Sequence, residues 1–220
     1  MITNQDYLYS IRKCYLFEGI SDEQLSEAIK ILNGRIKKIE KGEYVVRLGD
    51  VLHSAGLLLK GKIESSFQNE NFDQITMHTF VGGYLFGEAL VINGAKNSPV
   101  QVRAVEDCII LFIDLVEIYR SDNHSSVRVI LAENLIRSLA RKNLILNQKV
   151  RILSQKGLRD RILFYLDTLP KDKNGFVKIP FTRTALAEYL GVNRSALSRE
   201  LGRMQNENLL IVDGSKMKLC

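Results

Sequence analysis

Five side chains able to grip a polyanion, Arg194, Ser195, Ser198, Arg199 and Arg203, fall on one face of a single helical pattern. The opposite face is Ala196, Leu197, Leu201 and Met204. Arginine presents a planar fork that matches guanine edges and phosphates, and serine a hydroxyl that adapts to either. Carried near a helix N-terminus, such side chains suit a major groove. Asn193 is placed to cap this helix, expected over 193–206. Upstream, Leu186, Ala187 and Leu190 stripe a shorter helix that Thr182 can cap, with Arg183 beside the cap and Gly191-Val192-Asn193 as the turn. The spacing is that of a helix-turn-helix. An amphipathic hairpin with a solvated basic face has the same spacing, so the surrounding elements must decide between them.

Those elements favour the first. Downstream, 209–212 and 216–219 read as a β-hairpin turning at Asp213-Gly214, with Lys216 and Lys218 in reach of phosphates. Upstream, Gly157 reads as a hinge before a helix over 158–169, then a turn over 170–175 and a short strand over 176–179. A helix-turn-helix followed by a two-stranded hairpin is a winged helix.

Before Gly157 lies a long helical seam: Val129, Ala132, Ile136, Leu139, Asn143, Leu146, Val150 and Leu153 alternate spacings of three and four. Branched residues and one Asn at the a positions, with leucines dominating d, favour a parallel two-stranded coiled coil between two copies. The seam would run roughly 36 Å. Ile130, Leu131 and Leu135 lie off it and would cover the chain's own N-terminal domain.

That domain reads first as two helices within residues 1–33, one holding Tyr7, Leu8, Ile11 and Leu16, the next capped at Ser21 and holding Leu25, Ala28, Ile29 and Leu32. Short β-rich runs follow at 35–39, 44–47, 56–59, 63–67, 74–80, 100–105 and 108–113, punctuated by glycines. This is the pattern of a sandwich or barrel. The expected fold class is α+β: an N-terminal β-roll of jelly-roll type, a long dimerisation helix and a C-terminal winged helix. The expected domains are 1–124, 125–156 and 157–220.

Charge divides in the same way. From Ser154 onward there are 12 Lys and Arg against 7 Asp and Glu, while the rest of the chain is close to neutral. A basic third on a neutral body suggests a polyanion-binding module joined to a regulatory one. Cys14, Cys108 and Cys220 are scattered, as are His53, His78 and His124, which argues against a disulfide framework and a metal centre. No apolar run approaches the roughly 18 residues of a membrane span. Residues 1–7 lack the basic and apolar regions of a signal peptide, so a cytoplasmic location is expected.

The order β-roll, long helix, winged helix resembles the Crp/Fnr family of bacterial transcription regulators. Two motifs carry the likeness: Gly83-Tyr-Leu-Phe-Gly87-Glu88 with Val102-Arg103-Ala104, and Thr182-Arg183 through Arg199 with its Leu-Gly, Asn-Arg and Leu-Ser-Arg steps. The resemblance implies a homodimeric DNA-binding regulator, not an enzyme, with DNA contacts at Thr182, Arg183, Asn193, Arg194, Ser195, Ser198, Arg199, Arg203, Lys216 and Lys218. Expected partners are double-stranded DNA, a second copy of the chain and RNA polymerase, and no membrane.

The resemblance also implies an effector pocket of Phe86, Gly87, Glu88, Ala89, Ser98, Pro99 and Val100 on the roll, with Asn143, Leu146 and Asn147 on the long helix. Cyclic-AMP-binding members of the family hold the ribose with a Gly-Glu pair and the phosphate with an Arg-Ser pair. Here Gly87 and Glu88 are kept, but Ser98-Pro99 replaces Arg-Ser and Leu146-Asn147 replaces the polar helix pair. A buried phosphate would lack its charge-assisted partner, so cyclic AMP is disfavoured. The oxygen-sensing branch needs a cysteine cluster that is missing, and His78 has no adjacent Cys for haem. Glu, carried by many members at the place of Ser195, is also absent, so the half-site should differ where that Glu reads a base. No cofactor is assigned, and a small-molecule effector is left open. A cupin-type enzyme would need clustered His and Glu ligands, and a cyclic-nucleotide regulatory subunit would not need the winged helix.

Overall fold

The computed structural model describes residues 5–68, 74–120 and 125–220. His124, the side chain of His78 and the expected boundary at residue 124 lie outside the described residues. The chain forms two compact units, Met1–Ala140 and Arg141–Cys220.

In the first unit α1 (Gln5–Lys13), a 3-10 turn (Tyr15–Phe17) and α2 (Asp22–Ile31) precede the strands. Ser21 and Gln24 close a reciprocal capping box at the start of α2. Eight strands follow: β1 (Arg35–Ile39), β2 (Tyr44–Val46), β3 (Ala55–Lys60), β4 (Lys62–Gln68), β5 (Gln74–Val81), β6 (Leu85–Phe86), β7 (Gln101–Ala104) and β8 (Cys108–Ile113). They make two antiparallel four-stranded sheets, ordered β1-β8-β3-β6 and β2-β7-β4-β5. The two short helices α3 (Glu88–Ile92) and α4 (Glu117–Arg120) were not anticipated, nor was β6. Each is too short to show a period.

In the first sheet the central strands β8 and β3 are buried on both faces. On β8, Cys108, Ile110 and Phe112 enter the core between the sheets, while Ile109, Leu111 and Ile113 enter a second core under the helices. On β3, Leu58 faces the first core and Ala55, Leu57 and Leu59 the second. This is why these strands read as unbroken apolar runs and not as alternating ones. Leu111 is wholly enclosed, so trimming it to Ala would cost about 2–5 kcal/mol. Gly56 lacks a side chain for want of room: a Cβ there would meet the Phe86 ring at 2.2 Å.

The long helix α5 (Ser126–Leu153) runs 28 residues without a break. Within the first unit it buries Val127, Leu131, Asn134, Leu135 and Ser138. The one amide among them is satisfied, since Asn134 Nδ2 donates to the Leu16 carbonyl at 3.1 Å and the Glu18 carbonyl at 2.7 Å.

The second unit adds α6 (Leu158–Asp167), β9 (Val177–Lys178), α7 (Arg183–Tyr189), α8 (Arg194–Asn206), β10 (Leu210–Asp213) and β11 (Lys216–Leu219). The three strands form one sheet ordered β10-β11-β9. Asp213 pairs with Lys216, so the hairpin turns at Gly214-Ser215, one residue later than expected. Gly214 takes φ +55°, the left-handed conformation that a two-residue hairpin turn demands.

Candidate nucleic-acid interface

The helix-turn-helix is fixed at both ends of its turn. Thr182 Oγ1 accepts from the Ala185 amide at 3.2 Å and caps α7. At the C-terminus of α7, Val192 N–H donates to the Ala187 carbonyl and Gly191 N–H to that of Glu188, a Schellman closure. Gly191 supplies its left-handed residue at φ +71°. Asn193 Oδ1 then accepts from the Ala196 amide at 2.8 Å and caps α8. Below the turn, Arg161 NH1 donates to the Leu190 carbonyl at 3.1 Å and Nε to that of Gln155 at 3.3 Å. One guanidinium thus ties the turn to the segment that follows α5.

Burial sorts the face of α8 as the spacing predicts. Leu197, Leu201 and Met204 enter a core with Leu186, Ala187, Leu190, Ile162, Tyr165 and Met217, and Ala196 is half-buried at its edge. Arg194, Ser195, Ser198 and Arg199 are exposed, and neither Arg194 nor Arg199 meets a carboxylate among the described residues.

Other expected contacts are partly committed within the fold. The oxygens of Thr182 and Asn193 serve as caps, leaving the Thr hydroxyl hydrogen and the Asn amide to donate outward. Arg183 is half-buried, with NH1 enclosed and without a partner. Arg203 NH1 lies 3.6 Å from Glu200 Oε2. On the wing, Lys216 Nζ lies 3.7 Å from Asp172 Oδ2, and Lys218 Nζ is 5.8 Å from the centre of the Phe176 ring. Asp172 also accepts from the amides of Asn174 and Phe176, both at 2.9 Å, and the Phe176 contact leads in holding its carboxyl below the usual range.

Three residues of this unit were missed in the sequence. Arg159, at the start of α6, donates from Nε to Glu200 at 2.7 Å and from NH1 and NH2 to Glu207 at 2.6 and 3.0 Å. Glu200 and Glu207 are seven residues apart, hence on one face of α8, and that spacing was the available signal. The cation that joins them is remote in sequence.

The expected effector residues fall in both units and are described unit by unit. Glu88 is buried as the first residue of α3, behind Gly87. Ser98 is buried and its hydroxyl donates to the Val100 carbonyl at 2.6 Å, while its backbone pairs with Gly49 and Asp50. Ala89 and Pro99 are exposed and Val100 is half-buried. Phe86 lines a cavity of about 230 Å³ with Val45, Val46, Asp50–Ser54 and Phe112. Asn143, Leu146 and Asn147 are exposed in the second unit, where Asn147 Nδ2 donates to Asn143 Oδ1 at 3.1 Å.

Along the seam, Val129, Ile136, Asn143, Leu146, Val150 and Leu153 are exposed. Ala132 and Leu139 are half-buried against the core of their own unit, which the heptad spacing did not disclose. Cys108 is buried, and its thiol donates toward the carbonyls of Lys62 and Glu106. Burial pushes its pKa up, which makes it a poor thiolate.

Comparison with known proteins matches two family models to this chain. Residues 36–121 match the cyclic nucleotide-binding domain and residues 160–220 the Crp-like helix-turn-helix domain. Electron transport regulator A of Shewanella oneidensis is 27% identical over 201 residues, 87% of this chain and 76% of that protein. The fumarate and nitrate reduction regulatory protein of Escherichia coli is 24% identical over 201 residues, 89% of this chain and 78% of that protein. Among solved structures, the Thermus thermophilus catabolite activator protein shares the fold with a TM-score of 0.56 at 21% identity, covering 94% of this chain and 93% of its own. DNR from Pseudomonas aeruginosa does so with a TM-score of 0.50 at 20% identity, covering 100% and 96%.

Proposed function

Since the chain belongs to the Crp/Fnr family of DNA-binding transcription regulators, we propose that it acts in the cytoplasm as a homodimer on a near-palindromic duplex, under an effector other than cyclic AMP. The observation that carries the reading is the uncommitted face of α8. Arg194, Ser195, Ser198 and Arg199 project from a capped helix, and among the described residues no carboxylate quenches the two arginines. Arg199 is the base reader, bidentate to guanine, with Ser198 and Ser195 beside it. Lys216 and Lys218 approach phosphates.

The exposed seam of α5 supports pairing of two copies, which would set the recognition helices about 34 Å apart, one turn of duplex. The committed hydroxyl of Ser98 supports an effector without a buried phosphate. Contact with RNA polymerase follows from the family's role.

Selection of duplexes from a random pool by the full chain tests the reading. The expected result is an enriched near-palindrome with half-sites one turn apart. A pool that stays random after repeated rounds would overturn it.

A further inference from the structure

Recognition helices are useful only if their rotation about their own axis is held, because a side chain that reads a base edge must arrive at a set angle. The apolar face of α8 fixes its depth in the core, but apolar packing is non-directional and tolerates small rotations. Among the described residues, the directional side-chain contacts on α8 from outside the helix-turn-helix come from one residue. Arg159 reaches from the first turn of α6 to two carboxylates two turns apart on α8.

The two grips differ. Glu207, the C-cap of α8, receives both terminal nitrogens of the guanidinium as a parallel fork. Glu200 receives Nε on one oxygen and faces Arg203 with the other. Glu200 is only 14% exposed, so its hydrogen bond is sheltered from solvent competition. It also directly follows Arg199 in the chain, so any rotation that strains the Glu200 contact swings Arg199 by the same angle.

We propose that Arg159 is a positioning residue for DNA reading: its planar fork, gripping Glu200 and Glu207 together, sets the rotation of α8 and therefore the approach of Arg199 to its base. The proposal rests on the DNA-reading role given above. It assigns Arg159 no contact with DNA. Its contribution is to sequence preference and not to general affinity for duplexes.

The informative variant is Arg159→Lys, which keeps the charge beside both carboxylates but cannot fork. The full-length wild type and variant are titrated with a duplex enriched by the wild type and with a scrambled duplex of the same composition. Arg159→Lys should bind the scrambled duplex within about twofold of wild type, since phosphate attraction is unchanged, yet lose roughly fivefold or more of its preference for the selected one. Glu207→Gln, which weakens the fork while leaving the Glu200 contact, should lose part of that preference. It stands in should Arg159→Lys prove unfolded by circular dichroism.

Full preference in either folded variant would overturn the proposal. So would equal losses on both duplexes, which would make Arg159 a general stabiliser. A wild type that shows no preference for any duplex would overturn the reading role of α8 itself.

Discussion

Arg203 turns back onto Glu200, its NH1 3.6 Å from Glu200 Oε2, whereas Arg199, one turn earlier on the same helix, meets no carboxylate among the described residues. Two arginines four residues apart therefore carry different effective charge toward a ligand. Replacing Arg199 by Ala should cost roughly 1–3 kcal/mol per half-site and relax preference at one base pair. Replacing Arg203 by Ala should cost under about 1 kcal/mol, alike for all sequences. Titrations against selected and scrambled duplexes separate the two. Equal, sequence-independent losses would make Arg199 a backbone clamp.

The wing has its own internal counterion. Asp172 pairs with Lys216, so Asp172→Asn should free that lysine and tighten binding to every duplex by a few-fold at low salt. Lys216→Ala and Lys218→Ala should weaken binding to all sequences and flatten the log–log salt dependence by about 0.9 for each phosphate no longer neutralised. Affinities measured at several salt concentrations give the slopes. A change in sequence preference in these variants would show the wing reading bases.

Ile136 is 68% exposed on the seam, while Leu139 packs on its own unit's core. Ile136→Glu should therefore dissociate the dimer and leave the fold intact, because it would bury an unpaired charge twice per dimer. Leu139→Glu should also lower the unfolding temperature of the first unit. Light scattering and thermal unfolding read the two effects. A monomeric wild type at micromolar concentration would refute the assembly.

Cyclic AMP should give no calorimetric binding signal at micromolar concentrations and no change in duplex affinity, because Ser98 is locked to Val100 and carries no charge. A micromolar or tighter dissociation constant would mean that another cation holds the phosphate.

Two carboxylates of the second unit titrate below their ordinary values of 4.5 for Glu207 and 3.8 for Asp172. For Glu207 the main cause is the Arg159 hydrogen bond, and for Asp172 the Phe176 amide. A depressed folded-state pKa means the unfolded chain takes up protons first as pH falls. The stability these groups confer is thus complete above about pH 4.5 and is lost below it. The thermal midpoint should be flat from about pH 7 to 5 and fall beneath that. Asp172→Asn and Glu207→Gln should each make the fall shallower.

What the sequence disclosed was periodic or punctuated. The seam from Val129 to Leu153, the caps at Ser21, Thr182 and Asn193, and the break at Gly191 all depend on near neighbours, and a local pattern records them. Contacts across the fold leave no such record. Arg159 lies 41 and 48 residues from its two partners, and nothing around it marks it. The bond of Ser98 to Val100 and its pairing with Gly49 depend on how two loops meet, which no local pattern records. Leu139 fitted the heptad, and only the closed core shows that it also faces inward.

The fork of Arg159 has a consequence for inheritance. Losing the arginine alone would strand two carboxylates beside a surface meant for a polyanion, and losing one carboxylate would leave the arginine half-satisfied. Among descendants and cousins of this sequence, positions 159, 200 and 207 should therefore change together or not at all, with apolar or uncharged residues replacing the set. A lineage caught with only part of it should carry a new charge nearby to compensate.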